Sequence, residues 1–109
     1  NFCIQEMVKL YFNRGERPPL YYIRTSGGLE IDLLIEPAAG TLIPVEIKLS
    51  KTPAPALAKN IFAFRSLFSA LNPKEGILLA LADKTLPLPL TRDVTALSLD
   101  ACLKRLSEL

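Results

Sequence analysis

Histidine and tryptophan are absent from this chain, methionine occurs once, and cysteine twice in 109 residues. Without histidine the commonest general base and a favoured zinc ligand are missing, so any chemistry must rest on carboxylates, lysine or a hard metal ion. Cys3 and Cys102 lie near opposite ends of the chain, without the close spacing of a zinc site or a redox pair, which fits reduced thiols used for packing. No apolar run approaches the ~20 residues that cross a bilayer, and the N-terminus lacks the charged-then-apolar order of a signal peptide. The expectation is a cytoplasmic domain with no membrane partner. A net charge of +2 neither demands nor excludes a nucleic-acid partner, so the placement of charge must decide.

Half of the residues are hydrophobic, enough for one core and too few for two in a chain of this length. The chain opens without an initiator methionine on NFCIQEMVKLYF, which reads as helix with no capping residue ahead of it, so residues 1–109 are expected to form a single domain of a longer protein. Cys3, Ile4, Met7, Val8, Leu10 and Tyr11 make an apolar stripe at helical spacing over residues 2–12. LYYIR reads as a strand closed by Gly27 and Gly28. Strict alternation follows, with Leu29, Ile31, Leu33 and Ile35 on one side and Glu30, Asp32, Leu34 and Glu36 on the other. A turn over residues 37–41 leads to a third strand, where Ile43, Val45, Ile47 and Leu49 alternate with Pro44, Glu46 and Lys48. Leu57, Ile61, Phe64, Phe68 and Leu71 predict one long helix, and GILLALA a strand covered on both faces. Residues 84–93 read as an irregular connection, Val94 to Leu99 as a short edge strand, and Asp100 as the cap of a last helix. The fold class is α/β, with a mixed central sheet flanked by helices.

The informative stretch is GLEIDLLIEPAAGTLIPVEIKLS. Pairing its two strands with Asp32 opposite Glu46 puts Leu29, Ile31, Leu33 and Ile35 on one face with Ile43, Val45, Ile47 and Leu49, whereas a one-residue slip would bury the charges, so burial specifies the register. The two carboxylates then stand with Cβ atoms about 5 Å apart, and Lys48 projects beside them. Like charges directly opposed destabilise a sheet. A hard divalent cation, Mg²⁺ or Mn²⁺, shared between Asp32 and Glu46 resolves that conflict, and a neighbouring lysine suits the negative charge that develops in phosphodiester hydrolysis. The plainer reading is a solvated hairpin face in which Glu30 pairs with Lys48, worth under about 1 kcal/mol; it accounts for Glu30 and poorly for the opposed acids.

Asp32, then Glu46 and Lys48, on a hairpin that follows a helix carrying Glu6, resembles the PD-(D/E)xK nuclease superfamily. More narrowly, YYIRTSGGLEIDLLIE and IPVEIKLS, with QEMVKL upstream, resemble the C-terminal domain of unknown function that follows an AAA+ ATPase module in many bacterial and archaeal proteins. The resemblance implies a restriction-endonuclease-like αβββαβ core, metal ligands at Asp32 and Glu46, a catalytic Lys48, and an accessory helix carboxylate at Glu6. Ile31 stands where the superfamily's nominal proline would be, and no GxxxxGK[ST] occurs, so any ATPase lies outside this chain.

Arg24, Lys51 and Lys59 are the candidates for contacting a nucleic-acid backbone, DNA in the first instance. Arg24 also has Glu30 and Glu36 within reach as plain ion-pair partners, and scattered lysines are ordinary on a surface. Of Tyr21 and Tyr22, alternation expects one in the core and one exposed. The upstream ATPase and a homo-oligomer are the other expected partners. The rival to a nuclease is a noncatalytic module of the same fold that binds nucleic acid, regulates the ATPase or mediates oligomerisation.

Overall fold

Asn1 is itself a cap, against the uncapped start expected from sequence. Its Oδ1 accepts the N–H groups of Cys3 at 2.7 Å and Ile4 at 3.3 Å, satisfying donors that the first helical turn leaves free. The computed structural model describes residues 1–49, 52–71, 73, 75–80, 86–91 and 93–109. From Asn1 the helix α1 (Phe2–Asn13) runs with Cys3, Met7 and Tyr11 buried one turn apart. It is followed by β1 (Leu20–Arg24), β2 (Glu30–Ala38) and β3 (Thr41–Ile47), then α2 (Lys59–Leu67) between two short 3₁₀ turns, β4 (Gly76–Leu79), β5 (Leu88–Thr91), β6 (Val94–Leu97) and α3 (Leu99–Ser107).

These strands form one mixed sheet in the order β1-β2-β3-β4-β6-β5, flanked by the three helices. β1, β2 and β3 pair antiparallel, β3 with β4 and β4 with β6 parallel, and β5 returns antiparallel on the far edge. The interior β4 is buried at all of its positions, as its uninterrupted apolar run requires. Against expectation, β6 is interior and residues 88–91 form the edge strand, a position that tolerates Pro89, which has no N–H to donate. The long helix expected over 57–71 breaks into a 3₁₀ turn at Pro55–Ala58, nine residues of α2, and a second 3₁₀ turn, which leaves α1 the longest helix. The β2-β3 turn is also shorter than expected. β2 continues to Ala38 through an irregularity after Ile35, and Gly40 closes the turn at φ +82, a conformation that favours glycine.

Both faces of the sheet are covered, as expected for a sheet flanked by helices, and the cover extends to the β2-β3 hairpin, whose charged face was expected to be open. Leu33, Ile35, Ile43, Val45, Ile77 and Leu79 pack against α1 and α3. On the other face Leu78, Val94 and Ala96 pack against Ile61, and Ile31 and Leu34 pack against Phe64. Ile31 thus leaves the company of Leu33 and Ile35. The β1-β2 register gives the reason: Tyr21 pairs with Leu34 and Ile23 with Ile31, so Asp32 and Leu33 together oppose the single Tyr22. This is a β-bulge, and it inverts the alternation on one side of itself. Among the described residues no helix is long and apolar enough to cross a membrane.

Candidate functional site

The β2-β3 ladder holds the register expected from the sequence, with Leu33 opposite Val45, Leu34 opposite Pro44 and Ile35 opposite Ile43. One step beyond Leu33 the strands part, because the Ile47 N–H donates to the Asp32 carboxylate, Oδ2, at 2.8 Å. A side chain has taken the place of a backbone acceptor at the mouth of a fork. Leu42, Pro44 and Glu46 lie on the α2 side of β3, alternating with Ile43, Val45 and Ile47, which face the α1 and α3 cluster.

Glu46 is the one buried charged side chain among the described residues, at 2 % exposure. Its Oε2 lies 3.8 Å from Lys48 Nζ, and its Oε1 is buried with no hydrogen-bond partner among the described residues. An ionised carboxylate so placed is costly unless something pairs with it. Burial first, and then the Asp32 charge, push the Glu46 carboxyl up to about 6. Lys48, the Asp32 backbone amide and the Asn60 side chain pull the other way, the last two acting on the carboxylate without a hydrogen bond of ordinary geometry. Lys48 keeps 36 % of its side chain exposed, so its ammonium sits between the buried acid and solvent. Its backbone N–H donates to Leu79 O at 2.9 Å, which ties the residue after β3 to β4.

The structure therefore brings Glu46 close to both Asp32 and Lys48 at one fork, with Asp32 on β2, Glu46 on β3 and Lys48 one residue beyond the end of β3. It does not bring Glu6 to them as a third carboxylate. Glu6 Oε2 lies 2.9 Å from Lys9 Nζ, one turn along α1, and among the described residues no group of three acidic, cysteine or histidine side chains is placed to hold a metal ion. Arg24 is likewise committed: its Nη2 lies 3.4 Å from Glu30 Oε2, while the Tyr22 hydroxyl donates to Glu30 Oε1 at 2.9 Å. The expected Glu30 to Lys48 pair is replaced by these two contacts. Lys59 opens α2 and is exposed. Lys51 lies outside the described residues.

A family model for a domain of unknown function, DUF4143, matches residues 1–101. The chain belongs to the DUF4143 family. No curated protein and no solved structure matches it. Within this DUF4143 domain two contributors to the site were not legible as such. Asn60 reads in sequence as an outward residue of α2, yet it sits half-buried and acts on Glu46; its one signal is its place directly before Ile61 on the buried stripe. Tyr22 reads as one of two alternating aromatics, yet it is the residue that Asp32 and Leu33 jointly oppose.

Proposed function

We propose that this DUF4143 chain is a metal-dependent, nuclease-like domain of the PD-(D/E)xK type, which hydrolyses phosphodiester bonds of nucleic acid and works alongside an AAA+ ATPase module. The observation that carries the reading is the Glu46 carboxylate, buried with Oε1 unpartnered beside a second carboxylate and an ammonium. A fold keeps such a group at a cost in stability, and a cation removes that cost.

The donor set fits Mg²⁺ or Mn²⁺. Both acids supply hard oxygen, and Asp32 has one oxygen fixed by the Ile47 N–H and the other without a hydrogen-bond partner among the described residues. A divalent ion bound there supplies Lewis-acid polarisation of a phosphoryl oxygen and a more acidic water. Asp32 and Glu46 hold the ligand position, and their carboxylates are oriented in advance by the sheet. The Lys48 ammonium faces the charge that grows on the phosphoryl oxygens and positions the attacking water.

The test is calorimetric titration with Mn²⁺ alongside incubation with single-stranded, duplex and branched DNA. We expect saturable heats that Glu46→Ala abolishes, and metal-dependent cleavage that Asp32→Ala abolishes. A protein that neither takes up Mn²⁺ nor cuts any of these substrates would end the reading. The pairing of Glu6 with Lys9 favours one alternative, a noncatalytic module of the same fold that binds nucleic acid. DNA binding that persists in EDTA and survives Lys48→Ala, with no cleavage, would select it.

A further inference from the structure

The bulge at Asp32 and Leu33 has a second consequence. Asp32 lines the end of an open groove of about 330 Å³ whose walls are mostly apolar, formed by Ile4 and Val8 of α1 and by Leu20, Tyr21 and Tyr22 of β1. That volume is at the lower end of clefts that take one small molecule, about 300–1,000 Å³. Tyr21 and Tyr22 are both exposed, at 53 % and 57 %, although strand alternation would bury one of them. Two large aromatic surfaces left in water beside an acidic site are a cost that packing alone does not explain.

We propose that this groove receives an unpaired nucleobase, stacked on Tyr21 and Tyr22, while its phosphate lies at the Asp32 end. The substrate class is then single-stranded or locally unpaired nucleic acid. The inference rests on the nuclease-like reading for the phosphate and on the groove alone for the base. Three observations support it. Asp32 belongs to both the fork and the groove, so a phosphate brought to the fork carries its base to the tyrosines. Tyr22 is already fixed for stacking, because its hydroxyl donates to Glu30 at 2.9 Å and the Arg24 guanidinium lies 6.0 Å from its ring centroid. Little side-chain freedom is then lost on binding, and a cation against one face of an aromatic ring leaves the other face for a base. At the far end a second concavity shares Pro18, Leu20 and Tyr21 with the groove and is lined by Arg17. Arg17 has no ion pair among the described residues, and it is placed for the next phosphate along the strand. A base inside a duplex presents only its edge and keeps its faces stacked, so duplex cannot use these tyrosines without flipping a nucleotide out.

The experiment is equilibrium binding by fluorescence anisotropy, in Ca²⁺ and again in EDTA, using a short single strand, a hairpin duplex of the same length, and an abasic strand with the same backbone. We expect the order single strand, then duplex and abasic strand. Tyr21→Ala and Tyr22→Ala should each weaken single-strand binding by roughly fivefold to a hundredfold, and Tyr21→Phe should restore it. Both tyrosines are exposed, and circular dichroism checks that the variants fold. Equal binding of the abasic and ordinary strands, or indifference to both alanine variants, overturns the inference. So does a dimer that these variants dissociate without any effect on oligonucleotide binding, which would make the groove a self-contact. Mn²⁺ titration of the same proteins separates the two readings. Heats retained with base binding absent leave the nuclease-like site standing, and base binding with heats absent leaves only the groove.

Discussion

Lys48 Nζ stands 3.8 Å from Glu46 Oε2, on residues two apart along one chain, with the acid buried and the base half in water. The pair is too long for a strong hydrogen bond, so Lys48 offsets only part of what burial and Asp32 impose on Glu46. The carboxylate is consequently left only partly compensated, and this imbalance shows itself in measurable ways.

The first is pH. The Glu46 carboxyl is raised from 4.5 in the unfolded chain to about 6 in the fold, so the native state binds its proton more tightly. Stability contributed in this way is present below 4.5, falls as pH rises to about 6, and is flat above; the total is about 2 kcal/mol. Denaturant titrations in EDTA across that window should show the decline, and Glu46→Gln should abolish it and leave the protein more stable than the parent at neutral pH.

Removing Lys48 separates electrostatics from catalysis. Lys48 lowers the Glu46 pKa, so Lys48→Ala should move the decline in stability to higher pH. In the nuclease-like reading the same variant should lose about 10²- to 10³-fold in the rate of cleavage while keeping Mn²⁺ heats. Single-turnover cleavage and calorimetry read the two effects independently.

Packing between β4 and α2 is tight at one point. A Cβ on Gly76 would lie 2.6 Å from Ile61 Cγ2, and both residues are buried. Gly76→Ala should therefore destabilise the fold by about 1–3 kcal/mol through overpacking. The combination with Ile61→Val tests the cause, because it should recover part of the loss if Cγ2 is the obstacle.

The last helix distinguishes a cap from a first-turn charge. Ser98 Oγ accepts from the Ala101 N–H at 3.2 Å, so Ser98 and not Asp100 is the cap, and Asp100 lies two residues on, in the first turn, as an exposed acid. Ser98→Ala should cost about 1 kcal/mol, and Asp100→Ala about 0.3–1 kcal/mol, declining with salt. Urea midpoints at low and high ionic strength check both.

The two thiols should be silent in the native state. Cys3 and Cys102 are free, buried, and packed in the same cluster under α1 and α3. Burial pushes Cys102 up to about 11 and raises Cys3 as well, so neither supplies much thiolate at mildly alkaline pH. A disulfide reagent should label them only at the rate of unfolding, and fast labelling of either would contradict the packing described.

Local regularities were legible without coordinates. The stripe of Cys3, Met7 and Tyr11, the alternation from Leu33 to Ile35 and from Ile43 to Val45, and the apolar run of β4 each follow from a period that neighbouring residues carry themselves. That was enough for the α/β class, the β2-β3 register and the nearness of Glu46 to Asp32 and Lys48. The lack of histidine limited any chemistry to carboxylates, lysine and hard metals.

What the tertiary structure alone decided was which way those groups face and how deeply they lie. The bulge at Asp32 and Leu33 exists only relative to Tyr22 on another strand, and it moves Ile31 to the α2 side while it sets Asp32 at the groove. The burial of Glu46 depends on α2 closing over a face that alternation marked as polar. A sequence states the periodicity of its own neighbours, but register irregularities, edge positions and desolvation are properties of segments that meet from far apart in the chain.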